Sequence, residues 1–333
     1  MNRRTFLAAA GASALAADAP RSKMGIAVTC YMSFARPKDT LEFLEQANRL
    51  GAGGIQMQMS SRDPDYIRKF RARAEALGMY YEMIAALPKG DTTAFESTVA
   101  AGKEAGALVI RVNCLPGRRY ENFTNLADWR SAVLQAHQNI DAALRIVEKQ
   151  QVPLAIENHK DWTADEMAAL MRAKSSRWLG VCLDTGNNIS LLDDPMAVVE
   201  ALAPYAICTH IKDMAVAAYP DGFLLSEMVL GEGMLDMRRI VDTIRRARPE
   251  ARLTLEMITR DPLKVPCLTD QYWATFPDRN GRDLARTLRM VRDRERKDRP
   301  LPVLSGLARE TQLRLEEDNV KKCLAYARER QAL

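Results

Sequence analysis

Residues 153–162 read PLAIENHKDW, an apolar run that ends abruptly in polar side chains. Its first part has the length and composition of a buried strand, because small and aliphatic residues follow a proline without interruption. Glu157, Asn158 and His159 come directly at the carboxyl end of that run. A strand can end in this way where it meets solvent or where it carries reactive groups to a site, so the other apolar runs must decide.

Seven further runs of this kind recur along the chain, about 27 or about 46 residues apart. Helical patterns separate them, with start and stop signals such as Asp63-Pro64 and Gly78 in the expected order. Eight strand–helix units predict an α/β protein with a parallel sheet, closed as a (β/α)8 TIM barrel. A doubly wound open sheet is the alternative, but CYMSFARP at 30–37 lacks the glycine-rich turn of that fold. The runs begin near Met24, Gly53, Tyr80, Ala107, Pro153, Leu179, Tyr205 and Ala251.

Three segments lie outside the repeat. Residues 215–235 form an insertion, and residues 259–281 form a long loop after the eighth strand that contains Trp273. The barrel domain is predicted to span 20–294, with its eighth helix at the end. Residues 295–333 then form a helical extension, predicted as two helices that pack on the outside of the barrel or against a partner subunit.

The first residues have the pattern of an export signal. NRRTFL at 2–7 carries paired arginines and precedes a short, weakly apolar stretch with small residues. This predicts a twin-arginine signal at 1–19 and a periplasmic or otherwise exported protein. No later stretch is apolar enough for a transmembrane helix, so no membrane association is expected after signal cleavage.

Composition narrows the classes of partner. The 333 residues carry a formal net charge of +5 with acids and bases interspersed, which does not indicate nucleic-acid binding. The six cysteines include no CxxC pair, and a bridge between Cys182 and Cys208 on neighbouring predicted strands is left open. A homo-oligomer is also left open.

The last four predicted strands carry Glu157, Asp184, His210 and Glu256 at nearly the same level, close to their carboxyl ends. Those ends form the catalytic face of a TIM barrel, where neighbouring side chains can converge. Three carboxylates and one imidazole suit one octahedral divalent ion with open positions, Mn²⁺ first, with Mg²⁺, Co²⁺ or Zn²⁺ as alternatives. Open positions suit a substrate that chelates the ion through two oxygens.

The motifs ENH (157–159), CLDTGNN (182–188), THIKD (209–213), GEG (231–233) and LEMI (255–258) resemble the sugar isomerase/epimerase group of xylose-isomerase-like TIM barrels, including D-tagatose 3-epimerase-like enzymes. The resemblance covers roughly residues 24–290. It implies the same four residues as metal ligands and implies that Glu157 and Glu256 handle protons.

Two departures from that family concern the substrate. Asn187 stands where the epimerases usually carry a histidine, and residues 222–230 lack the usual arginine. His159 is predicted as a separate catalytic base, and Asn187, Lys212 and Trp273 as substrate-binding residues. The first half of the barrel offers further candidates for lining the pocket. The sequence does not show which of their side chains face the barrel interior. These residues are Gln56, Gln58, Glu82, Arg111 and Asn113.

The predicted activity is a divalent-metal-dependent isomerase or epimerase of a non-phosphorylated sugar or sugar derivative, acting through an enediolate. The alternative is a metal-dependent lyase that performs β-elimination on a keto-glycoside or keto-polyol. An apurinic endonuclease would need more histidines than the three present. A metal-bearing sugar-binding protein without catalysis is the remaining alternative, and a small carbohydrate is the expected partner.

Overall fold

The computed structural model describes residues 21–331 and contains an eight-stranded parallel sheet. Its strands are β1 Gly25–Ala27, β2 Gly54–Met57, β3 Tyr80–Ile84, β4 Ile110–Val112, β5 Leu154–Glu157, β6 Leu179–Asp184, β7 Ala206–His210 and β10 Thr254–Leu255. Their order in the sheet is β10-β1-β2-β3-β4-β5-β6-β7. Backbone hydrogen bonds between Ile211 N and Thr254 O (2.8 Å) and between Glu256 N and Ile211 O (3.0 Å) close it between β7 and β10. The TIM barrel is confirmed, and each barrel strand starts within three residues of its predicted position.

The helices begin where the capping residues predict. Asp39 and Asp63 accept backbone N–H groups at the starts of two helices, and Gly51 and Gly78 adopt positive φ after their ends. The helices are α1 Thr40–Arg49, α2 Pro64–Ala76, α3 Thr93–Glu104, α4 Arg119–Asn122, α5 Leu126–Gln150, α6 Ala164–Lys174, α7 Pro195–Leu202, α8 Met237–Ala247, α9 Asp270–Trp273, α10 Gly281–Arg294 and α11 Arg309–Gln331.

The inserted segment after β7 is an antiparallel hairpin of β8 (Asp213–Tyr219) and β9 (Gly222–Met228). The predicted long loop after the eighth strand is partly ordered as a third strand, β11 (Leu263–Val265), which pairs with β9, and as α9. An apolar cluster that includes Phe223 and Tyr272 fills the space beneath this small sheet. The hairpin therefore rises from the carboxyl ends of the barrel strands and is anchored there by the loop.

The last two helices pack in positions that chain order does not predict: α10 packs under the hairpin, and α11 packs against the barrel core. Val291 of α10 belongs to the apolar cluster under the hairpin, whereas Leu324 of α11 is fully buried in the main barrel core. Glu316 of α11 accepts backbone N–H groups of Phe34 and Ala35 after β1 at 3.0 and 2.7 Å. The prediction that 281–294 is the barrel's eighth helix is corrected, because α11 packs against the barrel core instead.

The extension contains one helix, α11, where two are predicted. Pro300, Pro302 and Gly306 lie in the segment before α11 and prevent a helix there. Helix α11 packs on the outside of the barrel strands, as expected, although the domain boundary at 294/295 stays a prediction. The predicted signal at 1–19 lies outside the described residues. Within the described part, no helix is long and apolar enough to span a bilayer.

Candidate metal centre

The four strand-end residues meet at one point inside the mouth of the barrel. Glu157, Asp184, His210 and Glu256 each offer one ligand atom, and these atoms all lie within 4.8 Å of one another. His210 Nδ1 is 3.3 Å from Glu157 Oε1, 3.4 Å from Glu256 Oε1 and 3.9 Å from Asp184 Oδ2. All four are buried, so the sequence prediction that they converge is confirmed.

The ring of His210 is oriented by a hydrogen-bond chain through the barrel interior. Gln56 Nε2 donates to Glu82 Oε2 at 2.9 Å, which leaves Gln56 Oε1 to face His210 Nε2 at 2.7 Å. His210 Nε2 must therefore carry the hydrogen, and in the neutral ring the Nδ1 lone pair points towards the carboxylates. Thr254 Oγ1 also donates to Glu82 at 2.9 Å. Gln56 and Glu82 thus orient His210 and are not themselves among the four candidate metal ligands.

Asp184 and Glu157 are placed by the turn that follows β6 and by the residue after β5. Backbone N–H groups of Gly186 and Asn187 donate to Asp184 Oδ1 at 2.8 and 2.7 Å. The amide of Asn158 forms two bonds to the backbone of Asp184, both 2.8 Å long. These bonds fix the register of the two strand ends, and they give Asn158 of the ENH motif a structural role.

Buried cations accompany the carboxylates. Arg111 forms an ion pair with Glu157, and Lys212 forms one with Glu256 and lies 2.9 Å from Asp184 Oδ2. Although burial acts to raise it, the positive charge of Lys212 and that of His210 in its protonated form hold the pKa of the Glu256 carboxyl well below its usual range. The Glu256 carboxylate is therefore ionised, as a ligand of a cation must be.

Asn187 connects the centre to a second lysine. Its Nδ2 donates to Glu157 Oε1 at 3.0 Å, and its Oδ1 accepts a hydrogen bond from Lys160 Nζ. Lys212 Nζ lies 3.4 Å from the same oxygen. Lys160 was not identified from the sequence, because it follows the strand end by three residues in a segment without periodicity.

His159 lies beside the centre but not in it. It is half-buried, and its Nδ1 lies 3.1 Å from the carbonyl oxygen of Gly117, so Nδ1 is the donor and Nε2 keeps a lone pair. Burial lowers the pKa of His159 well below its usual value, with Lys160 adding to the effect. The neutral ring can accept a proton at Nε2, and its catalytic role stays a prediction.

Trp273 has its described contacts under the hairpin, and its role in substrate binding stays a prediction. Its Nε1 donates to the carbonyl oxygen of Cys267 at 2.9 Å, and its ring packs edge-on against Tyr272 under the hairpin. Among the remaining lining candidates, Arg111 is buried at the centre, Gln58 is half-buried and Asn113 is exposed. The Cys182–Cys208 bridge left open is not formed, and both are free thiols on paired strands.

The donor set fits a divalent cation on chemical grounds. Three carboxylates and one imidazole lone pair face one another here, and a cation between them would offset the repulsion that Arg111 and Lys212 do not compensate. Asp184 Oδ2 is buried, and although Lys212 Nζ lies 2.9 Å away, this oxygen accepts no hydrogen bond of good geometry among the described residues. Oxygen ligands with a single nitrogen suit Mn²⁺ or Mg²⁺ in octahedral coordination. These four residues would hold the ion.

Comparisons with known proteins agree with this fold. A 3-oxo-isoapionate decarboxylase of Pectobacterium atrosepticum is 28% identical over 235 residues, covering 67% of this chain and 81% of that protein. The D-psicose 3-epimerase of Clostridium cellulolyticum H10 has a TM-score of 0.55 at 14% identity, covering 81% of this chain and 96% of its own. A xylose isomerase-like TIM barrel protein from Mycobacterium smegmatis, solved with magnesium, has a TM-score of 0.53 at 16% identity, covering 80% and 98%.

The family assignment rests on a sequence model that covers most of the chain. Residues 44–292 match the model of the family described as the xylose isomerase-like TIM barrel. That span contains β2 to β7, the hairpin, β10 and all four residues of the candidate metal centre. The chain therefore belongs to the xylose isomerase-like TIM barrel family.

Proposed function

We propose that this protein is a divalent-metal-dependent isomerase or epimerase of a non-phosphorylated keto-sugar or sugar derivative. The observation that carries the proposal is the convergence of three carboxylates and His210 Nδ1 at the carboxyl ends of the barrel strands. A bound divalent cation would polarise the substrate's ketone and stabilise the enediolate formed when the neighbouring proton leaves.

The two glutamates are assigned the proton transfers. Oxygens of Glu157 and Glu256 lie at similar distances from His210 Nδ1, 3.3 and 3.4 Å. Glu157 ends β5 and Glu256 follows β10, and these two strands flank β6 and β7 on opposite sides. Arg111 and Lys212 favour their ionised forms, and His159 Nε2 is a further acceptor. Proton return to the same carbon from the other face gives epimerisation, and return to the neighbouring carbon gives isomerisation.

A lyase is the second candidate, and two observations favour it. Asn187, where the resembling epimerases carry a histidine, lies against two lysines rather than a second imidazole. The curated relative is a decarboxylase of a 3-oxo sugar acid. In such a reaction the C–C bond breaks, CO₂ leaves, and the electron pair stays as an enolate that is then protonated. Elimination from a keto-glycoside passes through the same kind of enolate.

The export pattern at 1–19 adds to the substrate proposal. Phosphorylated sugars are kept in the cytoplasm, so an exported enzyme of this family would act on unphosphorylated carbohydrates. We propose a periplasmic location on the basis of the paired arginines at 3 and 4 and the short apolar stretch after them.

The test is proton exchange with a panel of unphosphorylated ketoses, 3-keto-glycosides and 3-keto sugar acids. The full chain, loaded with Mn²⁺, is incubated with each compound in D₂O, and the products are followed by NMR. Deuterium at the carbon next to the ketone of a compound that is otherwise intact supports the isomerase or epimerase, whereas release of an aglycone or CO₂ supports the lyase. Glu157→Gln and Glu256→Gln should each slow the reaction by about 100-fold or more, and Glu200→Gln on the exposed face of α7 is the control. A metal-loaded protein that exchanges and releases nothing across the panel contradicts both activities.

A further inference from the structure

Two buried lysines beside the metal centre share a single uncharged partner. Lys160 and Lys212 are 4% and 1% exposed, and both ammonium groups approach Asn187 Oδ1, Lys160 as a hydrogen-bond donor and Lys212 at 3.4 Å. An amide oxygen accepts hydrogen bonds but neutralises no charge. Two ammonium groups in a water-poor site therefore favour an anion between them.

Lys160 lacks the carboxylate partner that every neighbouring cation has. Lys212 pairs with Asp184 and Glu256, and Arg260 pairs with Glu227, but among the described residues Lys160 forms no ion pair. Burial, with Lys212 and Arg260 adding to it, lowers the pKa of Lys160 to about 7. An anion bound beside Lys160 would favour its charged form.

A divalent cation at the centre would increase this imbalance. Three carboxylates against two positive charges leave one negative charge, and Arg111 alone balances it. Lys212 then loses much of the compensation that Asp184 and Glu256 supply, and Lys160 has no ion pair among the described residues. The loaded centre carries surplus positive charge on the side of Asn187.

We propose that Lys160, together with Lys212 and Asn187, binds a carboxylate of the substrate, so that the substrates are acidic keto-sugars. This inference rests on the proposed function of the same centre. The two oxygens of a carboxylate can accept from both ammonium groups at once, in charge-assisted hydrogen bonds. The hydroxymethyl group of a neutral sugar at this place would leave both charges unpaired.

The smallest matched probes are hydroxypyruvate and dihydroxyacetone. Both carry a ketone and an adjacent hydroxyl, and they differ only in a carboxylate against a hydroxymethyl group. Their Kd values are measured by isothermal titration calorimetry on the Mn²⁺-loaded full chain. We expect tighter binding of hydroxypyruvate, and Lys160→Met should weaken it by about 10- to 100-fold, the range for a buried hydrogen bond to a charged group. The Kd of dihydroxyacetone should change less than about twofold in Lys160→Met, because dihydroxyacetone has no carboxylate for Lys160 to bind.

The comparison between variants is decisive, because the carboxylate of hydroxypyruvate also chelates Mn²⁺ in the absence of any lysine. Lys160→Arg should keep most of the preference, whereas Lys174→Met, which removes a lysine on α6 paired with Asp141, should leave both Kd values unchanged. Removal of an unpaired buried charge should not lower the melting temperature, so Lys160→Met should remain folded.

Three outcomes would overturn the lysine site: no measurable binding of hydroxypyruvate, equal Kd values for the two probes, or an unchanged preference in Lys160→Met. A separate calorimetric titration with Mn²⁺ alone tests the metal centre, and the absence of binding heat there would show that the centre does not bind the ion. In that case the same two probes are titrated into the metal-free protein. A preference for hydroxypyruvate that depends on Lys160 would still support the lysine site.

Discussion

At the scale of single residues, His210 links the metal centre to the interior of the barrel. Its Nε2 donates to Gln56 Oε1, and Gln56 is held in turn by Glu82, so the direction of the Nδ1 lone pair depends on residues from two other strands. The sequence identified His210 by its level in the strand alignment. It did not identify the role of Gln56 or Glu82, because the hydrogen-bond partner of a side chain inside a barrel depends on the phase of strands far away in sequence.

Gln56→Leu should weaken Mn²⁺ binding by about 10- to 100-fold, the range for partners behind a metal-binding histidine. The physical reason is that His210 Nε2 loses its acceptor, so the ring is no longer held in one orientation and tautomer. Calorimetric titration with Mn²⁺ measures the effect. Gln58→Leu is the matched control, since Gln58 is half-buried on the same strand path without a hydrogen bond to His210. Equal losses in both variants would contradict the assigned role.

Glu82 gives a prediction for pH dependence. Burial raises the pKa of Glu82 from 4.5 to about 8, so between these values the folded protein holds a proton that the unfolded chain has released. This contribution to stability is therefore lost as the pH rises through the window, at about 1.4 kcal/mol per pH unit. Glu82→Gln keeps an uncharged acceptor for Gln56 and Thr254. The unfolding free energy of this variant, relative to that of the wild type, should therefore increase from pH 5 to pH 8. Urea denaturation at several pH values measures it, with Glu200→Gln as control; a constant difference across the window contradicts the prediction.

At the scale of elements, the turn after β9 is tied to the start of β8 by one carboxylate. Asp213 accepts backbone N–H groups of Met214 at 2.8 Å and of Gly231, Gly233 and Leu235 at 3.0 Å each. The motifs THIKD and GEG, which are far apart in sequence, therefore meet in one structural unit. That unit holds the hairpin in position over the mouth of the barrel.

Gly233→Ala should destabilise the protein by roughly 1–3 kcal/mol, as overpacking does in a site that cannot relax. A Cβ at Gly233 would lie 2.2 Å from Asp213 Oδ1 and 2.5 Å from the carbonyl oxygen of Met214, and both atoms are fixed by the turn. Differential scanning calorimetry measures the loss as a lower melting temperature. Gly281→Ala is the control, because a Cβ there meets no atom within 4 Å at the start of α10. A Gly233→Ala protein as stable as this control would show that the turn can shift freely.

The elements that the sequence predicted are those with strong periodic patterns. The eight barrel strands and the helices between them have apolar runs and capping residues that depend only on nearby sequence. The hairpin of β8 and β9 was recognised only as an insertion, since its strands are buried by pairing with β11 and by α10, which no local pattern reveals. Lys160 was missed for the same reason, because its partner Asn187 belongs to another strand-end turn.

At the scale of the whole molecule, chain order did not predict which helix completes the barrel. Helix α10 follows β10 in sequence but packs with the hairpin, and α11 contacts the segments after both β1 and β10 through Glu316 and Asn319. Both helices have apolar faces, so the choice between them is made by the shape of the assembled core. The same helix thereby connects the barrel core to loops at the mouth, where the candidate metal centre lies.

Leu324→Ala tests this assignment, and it should lower the unfolding free energy by about 2–5 kcal/mol, as expected for a leucine in a close-packed core. Leu324 is fully buried in the same cluster as Phe43 and Leu44 of α1, so its loss leaves a cavity between α11 and the barrel. Leu134→Ala is the matched control, since Leu134 also lies in a helix but is 63% exposed, and it should change stability by less than about 0.5 kcal/mol. Urea denaturation of both variants gives the comparison. A loss below about 1 kcal/mol for Leu324→Ala, well under the core range, would mean that α11 is only attached to a barrel that is already complete without it.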